Sequence, residues 1–119
     1  MSRYVAGRKV EYKVRKLLEK SGHYVIRSAG SKGIWDLVAL NGVGIKLIQV
    51  KRLADRKGLR ADSAKSIFSE ELDAMKSVKL PSNAMVALVV YLPKIRGWAQ
   101  FTIVNGRFCE GGIWCKDVL

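Results

Sequence analysis

Apolar residues recur along this chain with two different periods, and each change of period marks an element boundary. Between Gly7 and Ser21, Val10, Val14, Leu17 and Leu18 fall at i, i+4, i+7 and i+8, a single stripe that predicts an amphipathic helix. Gly22 follows as a C-terminal glycine. His23 to Arg27 reads as a short strand. Ile34 to Leu40 and Ile45 to Lys51 are apolar runs of strand length joined by a glycine-bearing turn, which predicts two adjacent strands. Helical spacing returns with Ile67, Phe68, Leu72, Met75 and Val78, a second helix running to about Val78 with Ser63 or Ser66 as its N-cap. Leu80 to Asn83 breaks the chain before Met85 to Leu92, a run apolar enough for a strand buried on both faces. Pro93 to Gly97 turns into a strand from Trp98 to Val104, and Asn105-Gly106 is a hairpin signal. The tail, with Phe108, Ile113 and Trp114, forms either a last strand or a partner-binding surface.

The order helix, three strands, helix, strand, strand predicts an α/β fold, a central mixed β-sheet flanked by helices, with the first three strands as a meander. A chain of 119 residues fits one domain, 1–119, around one core. Charge changes the picture more than composition does. Lys and Arg number 22 against 10 Asp and Glu, a net +12, which implies a polyanionic partner, nucleic acid ahead of an anionic membrane. A membrane is disfavoured because there is no run of 18 apolar residues. MSRYVAGRKVEYK lacks the apolar segment of a signal peptide, so a cytoplasmic, nucleoid-associated protein is expected, or one of the host cytoplasm if viral. Cys109 and Cys115 flank EGGIW at a spacing that fits no common zinc pattern, and read as reduced thiols.

Against this apolar background a few polar residues stand out. Asp36 lies inside the run Ile34 to Leu40, where a carboxylate is costly unless something satisfies it. Gln49 and Lys51 share one face of the next strand with Leu47. Glu11 borders the buried stripe of the first helix; its bland alternative is an i, i+4 pair with Arg15. The loop Ser28 to Gly33 places small residues, Ser31 and Lys32 before the Asp36 strand, suited either to a phosphate or to a plain turn. After Lys51, Arg52, Arg56, Lys57 and Arg60 lie in a polar stretch that reads equally as a mobile loop tracking a phosphate backbone or as solvated surface. Glu70, Glu71 and Asp73 are accounted for by the positive end of the second helix.

Hydrolysing a phosphodiester near neutral pH calls for a water activated by a divalent metal and for charge stabilisation at the transition state. Mg²⁺ prefers oxygen ligands, including one or two carboxylates. Glu11, Asp36, the side-chain carbonyl of Gln49 and the backbone carbonyl of Val50 can supply such a set. Lys51 can orient or deprotonate the water and stabilise developing charge, or can simply pair with Asp36.

The helix glutamate Glu11, the loop RSAGSKG from Arg27 to Gly33, Asp36 in WDLVAL and the QVK of Gln49 to Lys51 resemble the PD-(D/E)xK nuclease superfamily, and within it the archaeal-type Holliday junction resolvases. The likeness covers roughly the first half of the chain in motif, and all of it in size and element order. It implies a restriction-endonuclease-like core and a Mg²⁺-dependent endodeoxyribonuclease, Mn²⁺ serving as an alternative metal. The enzyme would resolve four-way junctions by paired nicks, with no small-molecule cofactor. Glu11, Asp36, Gln49 and Lys51 would then be catalytic, Ser31 would position the scissile phosphate, and Arg8 and Arg27 would contact DNA. The resemblance also implies a homodimer on branched double-stranded DNA, with Trp98, Phe101, Phe108 and Trp114 as candidate dimer-surface aromatics against core burial. One departure stands out: the family usually has glutamate where this chain has Gln49, which removes a negative charge. The alternatives are another nuclease of the superfamily (nickase, flap or end-processing) and a catalytically weakened DNA-binding module.

Overall fold

The computed structural model describes residues 3–28 and 33–111. Helix α1 (Arg3–Lys20) leads into strands β1 (Tyr24–Arg27), β2 (Leu37–Leu40) and β3 (Ile45–Arg52). Helices α2 (Ala61–Ile67) and α3 (Ser69–Ser77) follow, then β4 (Ala84–Leu92), β5 (Gly97–Val104) and β6 (Arg107–Glu110). The strands form one mixed sheet in sequence order. β1, β2 and β3 are an antiparallel meander, β3 and β4 run parallel, and β4, β5 and β6 are antiparallel again. A parallel pair needs a crossover, and α2 and α3 lie in it.

The two faces of the sheet carry separate apolar clusters. Val10, Val14 and Leu18 of α1 pack on Val25, Leu37, Ala39, Ile48, Val50, Ala87 and Val89. On the opposite face Ala64, Phe68 and Met75 pack on Val86, Leu88, Val90, Leu92 and Phe101. β4 contributes to both clusters, as its unbroken apolar run predicts. Alternation along β3 sends Lys46, Ile48 and Val50 toward α1, and Leu47, Gln49 and Lys51 toward the second face.

Several expectations need correction. The second helix is not continuous: it breaks at Phe68, whose φ of −110° and ψ of 35° leave the helical region. Phe68, Leu72 and Met75 are buried at and beyond the break, and Ile67 before it is exposed. Its N-cap is Arg60, without a side-chain capping bond, rather than Ser63 or Ser66. The strand expected from Ile34 begins only at Leu37, so Asp36 stands just ahead of it. The stretch after Arg52 is anchored: Leu53 N donates to Tyr91 O at 3.0 Å, Lys94 Nζ to Asp55 O at 3.4 Å, and Leu53 and Leu59 pack on the second cluster. Phe101 is fully buried, a core residue and not a dimer-surface aromatic, and partly buried Phe108 stacks on it at 5.2 Å between ring centroids. Trp98 packs on Tyr91, while Trp114 and Cys115 lie outside the described residues.

Two devices fix the meander. In the β2–β3 turn, Asn41 Oδ1 accepts from the amides of Val43 (2.9 Å) and Gly44 (3.1 Å), an Asx turn. At its far end Gly44 lies against the backbone carbonyl of Asn83, leaving no space for a Cβ. Below the turn, His23 is buried: its Nδ1 lies 3.1 Å from Leu18 O, while Nε2 faces Lys46 Nζ at 2.7 Å and Asn41 Nδ2 at 3.2 Å. That arrangement requires Nδ1 to donate and Nε2 to accept, the neutral tautomer. Burial, then the Lys46 charge, hold its pKa below the usual 6.5.

Gly44→Ala is expected to destabilise the fold by about 1–3 kcal/mol, read as a lower urea midpoint at unchanged slope. His23 predicts a pH dependence. Above 6.5 it is neutral in both states; below it the unfolded chain takes up the proton first. Stability should therefore fall as pH drops below that value, and the fall should be smaller in His23→Gln; equal pH profiles would contradict the assignment.

Candidate active site

Asp36 is held by backbone on both sides. Its N–H donates to Ile48 O at 2.9 Å, and its carbonyl accepts from Ser28 N–H at 2.9 Å. Leu37 is already the residue opposite Ile48 in the ladder, so two residues address one, the count of a bulge. The side chain then turns onto β3, where Oδ2 accepts the Val50 N–H at 2.8 Å. Burial raises the Asp36 pKa above its ordinary value, against the opposing pulls of the Val50 amide, Lys51 and Arg27.

Glu11 arrives from α1, one position past buried Val10. Its Oε1 lies 3.5 Å from Arg27 Nε on β1. The expected alternative, a pair with Arg15, does not form; Arg15 meets Glu19 at 3.3 Å instead. Burial and then the negative charge of Asp36 raise Glu11, while Arg27 and Arg8 oppose the rise. Arg8, Glu11, Tyr12, Arg15, Arg27 and Leu37 line a cavity of about 200 Å³. Glu11 thus sits in a basic-rimmed recess within electrostatic reach of Asp36, and a cation would relieve both carboxylates.

From the other face of β3 come Gln49 and Lys51. Gln49 Oε1 is buried and has no hydrogen-bond partner among the described residues. Lys51 Nζ does not pair directly with Asp36. It lies 3.1 Å from Glu71 Oε2, in the first turn of α3. Glu71 was invisible as a site residue in the sequence, where helix-end electrostatics accounted for it; only its helical phase relative to Leu72 and Met75 carried the signal. Arg52 ends β3 and is exposed, as are Arg56, Lys57 and Arg60 beyond it. Ser31 and Lys32 lie outside the described residues.

The model of the archaeal Holliday junction resolvase family matches residues 2–69, more than half of the chain, a span that includes Glu11, Asp36, Gln49 and Lys51 but not Glu71. The solved structure of Archaeoglobus fulgidus Hjc, a Holliday junction resolvase from an archaeal hyperthermophile, superposes with a TM-score of 0.53 at 29% identity, covering 82% of this chain and 72% of that one. A comparison with curated proteins gave no match. The chain belongs to the archaeal Holliday junction resolvase family. It is accordingly an endonuclease acting on four-way DNA junctions, on a restriction-endonuclease-like mixed sheet. Such resolvases depend on a divalent metal. Among the described residues, no helix is long and apolar enough to cross a membrane.

The candidate site carries oxygen donors of the kind a hard divalent cation takes. Among the described residues no three His, Cys, Asp or Glu side chains form a metal cluster, but the buried Gln49 oxygen, without a partner among the described residues, is a further neutral donor beside the carboxylates Glu11 and Asp36 in kind. Hard cations take such oxygen sets. A carboxylate whose pKa is raised by folding is disfavoured in its charged form at neutral pH, and the penalty disappears only when it protonates. Asp36→Asn, measured in EDTA, is therefore expected to melt at or above the wild-type temperature while abolishing cleavage. A large loss of melting temperature would show instead that the Asp36 charge supports the fold.

Proposed function

We propose that residues 1–119 act as one nuclease domain in which Glu11, Asp36, the Gln49 side-chain oxygen and the Val50 carbonyl hold Mg²⁺, with Mn²⁺ able to replace it. The observation that carries this reading is Asp36: its carboxylate is fixed by the Val50 amide at 2.8 Å and feels both Arg27 and Lys51. The cation supplies Lewis-acid charge and a more acidic water at the scissile phosphate. Lys51, on β3 and within electrostatic reach of Asp36, stabilises negative charge developing on the phosphate. Arg8 and Arg27 flank the recess and neutralise the phosphates beside the cut. Arg27 can release Glu11, because their contact at 3.5 Å is partly open to solvent and weak. Ser31 and Lys32 donate to the scissile phosphate. Arg52, Arg56, Lys57 and Arg60 follow the backbone of one junction arm, presented by an anchored segment. A homodimer in the cytoplasm, acting on branched duplex DNA, would place two such sites for symmetric nicks.

The test is cleavage of a labelled four-way junction beside duplex, flap and single-stranded controls, in Mg²⁺, Mn²⁺ and EDTA. Paired symmetric nicks on the junction, absent in EDTA and in Asp36→Asn, are expected. Tight binding without cutting in either metal would mean that Gln49 has removed the chemistry. Preferential cutting of flaps would assign the site to another nuclease activity. Binding should weaken steeply with salt, and Arg8→Met should flatten the log K against log salt slope by about 0.9, one phosphate contact.

A further inference from the structure

Charge around Asp36 is unevenly shared. Two carboxylates, Glu11 and Asp36, face Arg8, Arg27 and Lys51, while Gln49 brings an oxygen without a charge. Left to itself, the Lys51 ammonium would be drawn onto Asp36, whose carboxyl it already lowers, and would compete with a cation for the same oxygens. In this molecule it is held elsewhere. Glu71 Oε2 takes Lys51 Nζ at 3.1 Å, with 34% of the Lys51 side chain and 24% of the Glu71 side chain exposed, so water screens the pair only in part. Glu71 immediately precedes Leu72, whose burial with Phe68 and Met75 fixes the rotation of α3 and turns Glu71 toward the rim of β3.

We propose that Glu71 is a positioning residue of this active site, which holds Lys51 off Asp36 and returns to the site the negative charge that Gln49 lacks. The inference rests on the assignment of Asp36 and Lys51 to catalysis. It means that the site is completed by a helix that lies on the face of the sheet opposite α1. Gln49 is then tolerated because a carboxylate comes to Lys51 from 22 residues beyond Gln49 in the chain, rather than from the same strand.

The experiment measures Mn²⁺ binding by calorimetry without DNA, and junction cleavage, for the full chain and for Glu71→Gln, Gln49→Glu/Glu71→Gln and Asp36→Asn. Glu71→Gln should weaken metal binding and cleavage by about 10- to 100-fold, the usual range for a group that orients a metal site from outside it. Gln49→Glu in the same chain should restore most of the loss, since it returns the charge from the strand. Should Glu71→Gln prove unfolded by thermal melting, Glu71→Ala, which also removes the charge and has the higher helix propensity, takes its place with the same loss and the same restoration expected. Unchanged binding and cutting in the Glu71 variant, with Asp36→Asn inactive, overturns the inference and leaves the site assignment standing. A loss that Gln49→Glu does not restore also overturns it, because the effect is then structural. Cutting by Asp36→Asn at the wild-type rate overturns the site assignment itself.

Discussion

The hydrogen bond from the Val50 amide to Asp36 Oδ2 is the contact on which the rest of the site depends. A carboxylate can stand in this half-buried position because a backbone donor, which needs no side-chain rotamer to be ordered, meets it at 2.8 Å. The bond exists because the β2–β3 ladder slips by one residue at Ile48, so that the Asp36 side chain, and not a backbone carbonyl, faces the Val50 amide. Geometry at the active site is thus inherited from the meander, whose turn is fastened by Asn41 and wedged under Asn83 by Gly44.

Charge in this molecule works against stability locally and for function globally. A net +12 repels itself but attracts a polyanion. Glu11 and Asp36 invert the sign at one point on that basic surface, and both carboxylates are held in a state the fold would sooner neutralise. Such local expense is the usual signature of a functional site. Lys46, buried against His23, raises a similar cost on the α1 face but resolves it with a neutral imidazole acceptor, and so reads as structure rather than chemistry.

Much of the architecture was legible because periodicity reports burial directly. The stripe of Val10, Val14 and Leu18 and the uninterrupted β4 run needed no tertiary knowledge to interpret, and Asn105-Gly106 takes the positive φ angles its hairpin requires. Asp36 was legible because an acid inside an apolar run is conspicuous. What escaped was contextual. The break at Phe68 has no glycine or proline to announce it, and the i, i+4, i+7 spacing of buried Phe68, Leu72 and Met75 reads as one continuous helix. Glu71 escaped for the same reason, since which acid of Glu70, Glu71 and Asp73 meets Lys51 depends on the rotation that the break sets.

That break makes α3 a phase-locked element. Each residue along a helix turns its face by about 100°, so one residue gained or lost between Phe68 and Glu71 would swing the carboxylate away from Lys51 while leaving the composition of the segment almost unchanged. The spacing from Phe68 to Glu71 is therefore constrained in length, although the sequence between them, Ser69 and Glu70, lies exposed and free to vary in identity. Drift in this chain would be permitted by substitution and refused by insertion, over a stretch only two residues long.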